Sequence, residues 1–160
     1  MGRYDVVLER VAASIRGTAD DRAAMEAAVQ TLEREVPDYT WVGIYLLDGN
    51  ELVLGPFVGK PSPHTRIPLG RGICGAAAAE KATIIVDDVN HDPRYLACSI
   101  ETRSEIVVPI LHDGDVLGEI DIDSDRRAAF GARDKAMLEA VAALLAVRIH
   151  ALGPDAVTQT

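Results

Sequence analysis

The chain is poor in cysteine, has no basic run and has no long apolar run. Cys74 and Cys98 are its only cysteines in 160 residues. Two thiols in a chain without secretory features read as free or redox-active groups rather than as a disulfide framework. The formal net charge is −9, with no cluster of Lys or Arg. Nucleic acid and anionic membranes are therefore poor candidates as partners, because both need a basic footprint. No apolar stretch is long enough to span a bilayer. The start, Met1-Gly2-Arg3-Tyr4-Asp5, lacks the apolar core of a signal peptide. Val6 stands where a myristoylation signal needs Ser or Thr. A cytoplasmic protein is the resulting expectation. G-x-S-x-G and P-loop patterns are absent, which removes support for hydrolase and NTPase readings. No C-x-x-C pair or helical His pair occurs, and His64, His91, His112 and His150 are scattered. That spacing argues against zinc, so neither a metal nor a cofactor is expected.

What is present suits one globular domain. Apolar residues make up 48% and charged residues 26%, and the length is enough to bury a full core. Residues 1–152 are expected to form the domain and 153–160 a mobile C-terminal tail. Tyr4, Val7, Leu8, Val11 and Ile15 recur at helical spacing. A second helix follows, with Asp20 or Asp21 as cap and Met25, Ala28, Val29, Leu32 and Val36 as its stripe. Strands are expected over 40–48 and 51–58, with a short edge strand over 65–69. An Ala-rich helix over 72–81 and a buried strand over 83–86 come next. The segment 87–103 is a long irregular connection carrying Cys98, of the kind that forms lids and binding loops. A hairpin over 104–111 and 116–123 precedes a last helix over 132–152. Helices around a mostly antiparallel sheet make the class α+β.

The hairpin decides where its carboxylates go. A two-residue turn at Asp113-Gly114 would set Glu105 opposite Ile122 and mix apolar with acidic residues on both faces. A three-residue loop, His112-Asp113-Gly114, would set Glu105 opposite Asp121. It would also put Ile106, Val108 and Ile110 on one face with Val116, Gly118 and Ile120. The second register keeps the apolar face clean, so Glu105, Asp121 and Asp123 are expected together on the other face. In the first strand Trp41, Gly43 and Tyr45 alternate with Val42, Ile44 and Leu46. If Trp41 and Tyr45 share the acidic face, the sheet carries a pocket with aromatic walls and an acidic floor. The alternative is a solvated acidic face, the usual fate of carboxylates.

Gly70-Arg71-Gly72-Ile73-Cys74-Gly75 fits G-x-G-x-x-G literally, but Thr65-Arg66-Ile67-Pro68 before it is short and contains Pro. No acidic residue closes a second parallel strand, so the glycines are expected to shape a tight helix start rather than a dinucleotide site. Cys74 would then sit in the first helical turn, where the dipole favours a thiolate; equally, it could be a small packed apolar residue. Cys98 lies in the long loop, over the expected pocket, where functional groups concentrate.

Several segments resemble one family. They are Trp41-Val42-Gly43-Ile44-Tyr45, Glu51 to Phe57, Arg66 to Gly75, Ala97-Cys98, Ser104 to Pro109 and Asp121-Ile122-Asp123-Ser124. In this order they resemble the free methionine-(R)-sulfoxide reductases, stand-alone GAF-domain enzymes. The resemblance spans about residues 40–125. It implies a GAF-like fold with a central six-stranded antiparallel sheet flanked by helices. It also implies reduction of free L-methionine-(R)-sulfoxide, an antioxidant repair reaction, with thioredoxin or another thiol as reductant. The family's catalytic cysteine falls on Cys98, and its substrate-binding residues fall on Trp41, Tyr45, Glu105, Asp121 and Asp123. Cys74 is a candidate resolving thiol. Terminal helices often pair in such domains, so a homodimer is a candidate assembly. Family members commonly carry a further cysteine before Arg66, where this chain has His64, and an Asp where it has Ser99. A non-enzymatic GAF sensor binding a small ligand is the alternative reading.

Overall fold

The computed structural model describes residues 2–97 and 99–151; the expected tail, 153–160, lies outside the described residues, and so does Cys98. Eleven elements follow the chain: α1 Arg3–Arg16, α2 Asp21–Glu35, β1 Trp41–Asp48, β2 Glu51–Val58, β3 Arg66–Pro68, α3 Gly72–Glu80, β4 Ile84–Val86, a 3-10 turn Val89–His91, β5 Ser104–His112, β6 Asp115–Ser124 and α4 Ala132–Ala151. Asp20 caps α2 by accepting from the Ala23 amide at 2.8 Å. The strands form one six-stranded sheet in the order β3-β2-β1-β6-β5-β4, and every pairing is antiparallel. This is the expected α+β architecture. No helix among the described residues is long and apolar enough to cross a membrane.

The two sheet faces have opposite characters. Val42, Ile44, Leu46, Ile106, Val108, Ile110, Ile120 and Ile122 pack against the buried stripes of α1, α2 and α4. This face holds most of the apolar burial and supplies the main driving force for folding. The other face is covered by α3 and the loops around it, and buries Tyr45, Leu52, Ile67, Ile73, Cys74, Ala77 and Val107.

Two expectations need correction. The 83–86 strand, expected to be buried, is β4 at the sheet edge, where Ile84 and Ile85 are only half-buried. A single pairing, with β5, and partial cover are enough to keep three apolar residues extended. The hairpin register also differs. The turn is the two-residue Asp113-Gly114, with φ of 49° and 83°, as a primed turn requires. His112 faces Asp115 and Leu111 faces Val116, but Ile110 then faces Gly118 because Leu117 is an extra residue in β6. Glu105 consequently pairs with Asp123, and Val107 with Asp121. Shortening the loop shifts the register by one and the bulge shifts it by one more. The parity is unchanged, so Glu105, Asp121 and Asp123 still share a face. Val116, before the bulge, moves to the α3 side instead of joining Ile120.

Next to the bulge, β1 and β6 approach too closely for any side chain. A Cβ at Gly118 would lie 2.3 Å from the Tyr45 carbonyl oxygen and 3.2 Å from Leu46 Cα. Gly118→Ala should cost about 2–3 kcal/mol as the strands part, read as a lower urea midpoint with an unchanged m-value. An unshifted midpoint would contradict this packing.

Candidate functional site

The site is built where three elements bring polar groups out of water. β6 carries Glu119, Asp121 and Asp123 on alternate positions, all facing α3, with 0%, 3% and 4% of their surface exposed. β5 adds Glu105, 5% exposed, opposite Asp123. Cys74, the third residue of α3, descends onto this row and is also buried. α3 comes this close because its start is glycine-rich. Gly72 has φ +69° and a Cβ there would meet Leu96 at 2.8 Å; a Cβ at Gly75 would meet the Pro68 carbonyl at 2.7 Å. The glycines do shape a tight helix start, as the sequence suggested.

Charge cannot survive unshared in such a place. Glu105 lies beside both Asp121 and Asp123 and lowers the shift on each, and buried carboxyl groups this close are accommodated by sharing protons. Burial pushes the Asp121 carboxyl up, partly offset by hydrogen bonds from Glu105 and the Cys74 thiol. Asp123 is pushed well above the usual carboxylate range by burial and then by the nearby Asp121 charge, with Glu105 again offsetting. Glu119 is pushed far up by burial and by Asp121. Neither of its oxygens has a hydrogen-bond partner, and one oxygen each of Asp121 and Asp123 is likewise unpaired. The proximity of the Cys74 thiol offsets only a small part of the shift on Glu119. Cys74 itself is raised well above the ordinary thiol range, first by burial and then by Asp121, Glu119 and Glu105. The helix dipole loses to burial and three carboxylates, so Cys74 is a neutral thiol and not the thiolate its helix position suggested.

A cavity of about 20 Å³ opens onto this cluster, lined by Tyr45, His64, Cys74, Leu96, Glu105 and Asp121 among others. Two loops close over it. The Tyr45 hydroxyl donates to the His64 carbonyl at 2.8 Å, and His64 Nε2 lies 3.0 Å from the Ala97 carbonyl oxygen. Lys60 and Glu101 form an exposed ion pair at 2.6 Å between the same loops. The 89–103 loop is pinned at its base, where the Val89 amide donates to Arg103 and the Arg103 amide to Ser124, both at 2.8 Å.

Trp41 stands apart from this cavity. It pairs with Asp123 on the acidic face, but its ring lies flat across Gly43, where a Cβ would be 2.3 Å from the ring. Its Nε1 donates to the Lys60 carbonyl at 2.9 Å and the ring stacks on Phe57. It lines a neighbouring cleft of about 110 Å³ with Thr40, Lys60, Ser99 and Glu101. Glu105, Asp121, Tyr45 and Cys74 therefore meet in one cavity, Asp123 adjoins them, and Trp41 stands at the rim. Sequence reasoning missed Glu119. Its place two residues before Asp121 on the same strand face was the available signal.

Residues 20–149 match the GAF domain family. The free methionine-R-sulfoxide reductase of Escherichia coli is 39% identical over 114 residues, covering 71% of this chain and 68% of that protein. The solved free methionine-R-sulfoxide reductase of Neisseria meningitidis, in complex with its substrate, superposes with a TM-score of 0.88. It is 39% identical, over 92% of this chain and 89% of that one. The type II free methionine-R-sulfoxide reductase of Thermoplasma acidophilum gives 0.79 at 45% identity, over 82% and 93%. The chain belongs to the free methionine-R-sulfoxide reductase family of GAF domains. Within that family frame, the acidic row is the feature in which this chain's own geometry concentrates.

Glu119 gives a direct thermodynamic readout. Its folded pKa lies above the unfolded value near 4.5, so the native state keeps a proton that the unfolded state releases. Its contribution to stability therefore falls as pH rises above the unfolded value. Glu119→Gln, which cannot ionise, should gain stability relative to the parent as pH is raised from about 5, by up to about 1.4 kcal/mol per pH unit until the folded carboxyl itself ionises. Urea midpoints across that range check it, and a pH-independent difference would refute the assignment.

Proposed function

We propose that the protein reduces free L-methionine-(R)-sulfoxide to L-methionine, with Cys98 as nucleophile. The supporting observation is a proton-holding carboxyl cluster, Glu105, Asp121 and Asp123, under the loop that carries Cys98, in a chain of this reductase family. The thiolate of Cys98 attacks the sulfoxide sulfur, and a proton from the cluster goes to the sulfoxide oxygen. In the resulting sulfur–sulfur adduct the protonated oxygen passes to the Cys98 sulfur: the substrate sulfur–oxygen bond and the transient sulfur–sulfur bond break, a Cys98 sulfur–oxygen bond forms, and methionine leaves Cys98 as a sulfenic acid. The substrate sulfur gains the two electrons that Cys98 loses. The remaining carboxylates hold the substrate ammonium, and Trp41 at the rim offers an apolar surface to the methyl group.

An external thiol then displaces water from the sulfenic acid, and a second thiol reduces the mixed disulfide. Thioredoxin or dithiothreitol fits this role. Cys74 is a weaker candidate for it, because a buried neutral thiol is a poor nucleophile. The cavity of about 20 Å³ holds a water-sized particle and not an amino acid. Substrate binding therefore has to part the loops joined by His64–Ala97 and Lys60–Glu101.

Incubation with free methionine-(R)-sulfoxide and dithiothreitol or thioredoxin, with methionine quantified, tests the activity. Turnover should vanish in Cys98→Ser. Loss of turnover with both reductants in the parent protein, or survival in the variant, would favour the ligand-binding sensor instead. Asp123→Asn should lower kcat/KM by about 10²–10⁴ through loss of the shared proton and a carboxylate charge. The rate should also fall as pH rises through the raised pKa of the cluster, since the proton donor is then lost. A rate that climbs steadily into the alkaline range would argue against cluster acid catalysis.

A further inference from the structure

The cavity is lined by one thiol that the proposed chemical step does not need, Cys74, and Glu119 beside that thiol has no role in the step either. The Cys74 sulfur and one carboxylate oxygen each from Glu105 and Asp121 lie within 4.8 Å of one another, and all three residues are buried. They come from α3, β5 and β6, three rigid elements, and all three line the same cavity. Asp121 adds a second observation. It is 3% exposed, lines the cavity and leaves one carboxylate oxygen without a hydrogen-bond partner, while Glu119, 0% exposed, lies beside Cys74. A buried carboxylate oxygen in that state is free to accept an ion or a donor group.

The size and chemistry of the space narrow the choice. About 20 Å³ admits a monatomic ion without moving the loops, although it excludes an amino acid. A thiolate among carboxylates suits borderline-soft divalent ions such as Zn²⁺ and Co²⁺. Calcium and magnesium prefer more oxygens and no sulfur. Metal bonds of about 2.0–2.3 Å would draw the donors together by roughly 1 Å, within side-chain reach.

We propose that Cys74, Glu105 and Asp121 form a site for a zinc-type divalent cation, with Glu119 as the fourth donor, and that occupancy blocks the pocket. Binding exchanges protons for the metal. The Cys74 S–H and the shared carboxyl protons leave to solvent, one metal–sulfur bond and the metal–oxygen bonds form, and no electrons move. Binding stands independently of the reductase reading; only the block of turnover rests on it.

Titration of the full chain with Co²⁺ alone tests the site. One equivalent should produce the near-ultraviolet sulfur-to-cobalt charge-transfer band, and Zn²⁺ should abolish it by displacement. The band should persist in Cys98→Ser and disappear in Cys74→Ala. Glu119→Gln, which keeps the shape of the neutral acid, should weaken Co²⁺ binding at least 10-fold and guards against a misfolded Cys74 variant. No thiolate band in the parent protein, a band lost in Cys98→Ser, or unchanged binding in both Cys74→Ala and Glu119→Gln would overturn the site. In an active preparation one equivalent of Zn²⁺ should cut methionine formation at least 10-fold, with a chelator restoring it. A positive cobalt titration with no reductase turnover would leave the site standing and remove the reductase reading. Turnover without the band would do the reverse.

Discussion

Everything on one side of the sheet depends on a single constraint, the removal of four carboxyl groups and a thiol from water onto neighbouring positions. Glu105, Glu119, Asp121 and Asp123 are each no more than 5% exposed. Transferring that many charges into a low-dielectric space costs far more than a domain's net stability. The groups therefore hold protons more tightly, as the raised carboxyls of Glu119, Asp121 and Asp123 do, or share a cation. A proton held at neutral pH is what an acid catalyst requires, and a shared negative charge is what an ammonium group or a metal ion requires. The chemistry of the site follows from the cost of its burial.

That cost is met on the opposite face. Ile106, Val108, Ile120 and Ile122 alternate with the acidic set along β5 and β6, and with Val42 and Ile44 of β1 they pack under α1, α2 and α4. Stability is concentrated on one side of the sheet and reactivity on the other. The cover over the reactive side is lighter, a nine-residue helix and loops joined among the described residues by contacts such as His64–Ala97 and Lys60–Glu101. Elements of low local stability are the ones that can open to admit a ligand.

Much of this was legible beforehand. Helical spacing located α1, α2 and α4, and strand alternation located β1 and the hairpin. The face shared by Glu105, Asp121 and Asp123 also followed from alternation, although the hairpin register itself did not. Face depends on parity, and the two-residue turn and the bulge at Leu117 cancel in parity while shifting the pairing by two. The stray position of Val116 and the edge placement of β4 were not legible, because a bulge and a strand order leave no local pattern.

Residue types and alternation by themselves determined that Glu105, Asp121 and Asp123 would share one sheet face and that Cys98 would ride on a long loop. Those are properties of neighbours in the chain, whereas putting Trp41 and Tyr45 on that face needed the β1–β6 pairing. Tertiary structure alone decided that Cys74 would meet Glu105, Asp121 and Glu119. Their proximity comes from three elements brought together by the glycine-rich start of α3 against β3 and the 89–103 loop. Spacing arguments look for partners a few residues apart, and so a group assembled from three separate elements lies outside their reach. The same burial turned Cys74 from a prospective thiolate into a neutral thiol, because desolvation is a property of the packed molecule and not of a helix position.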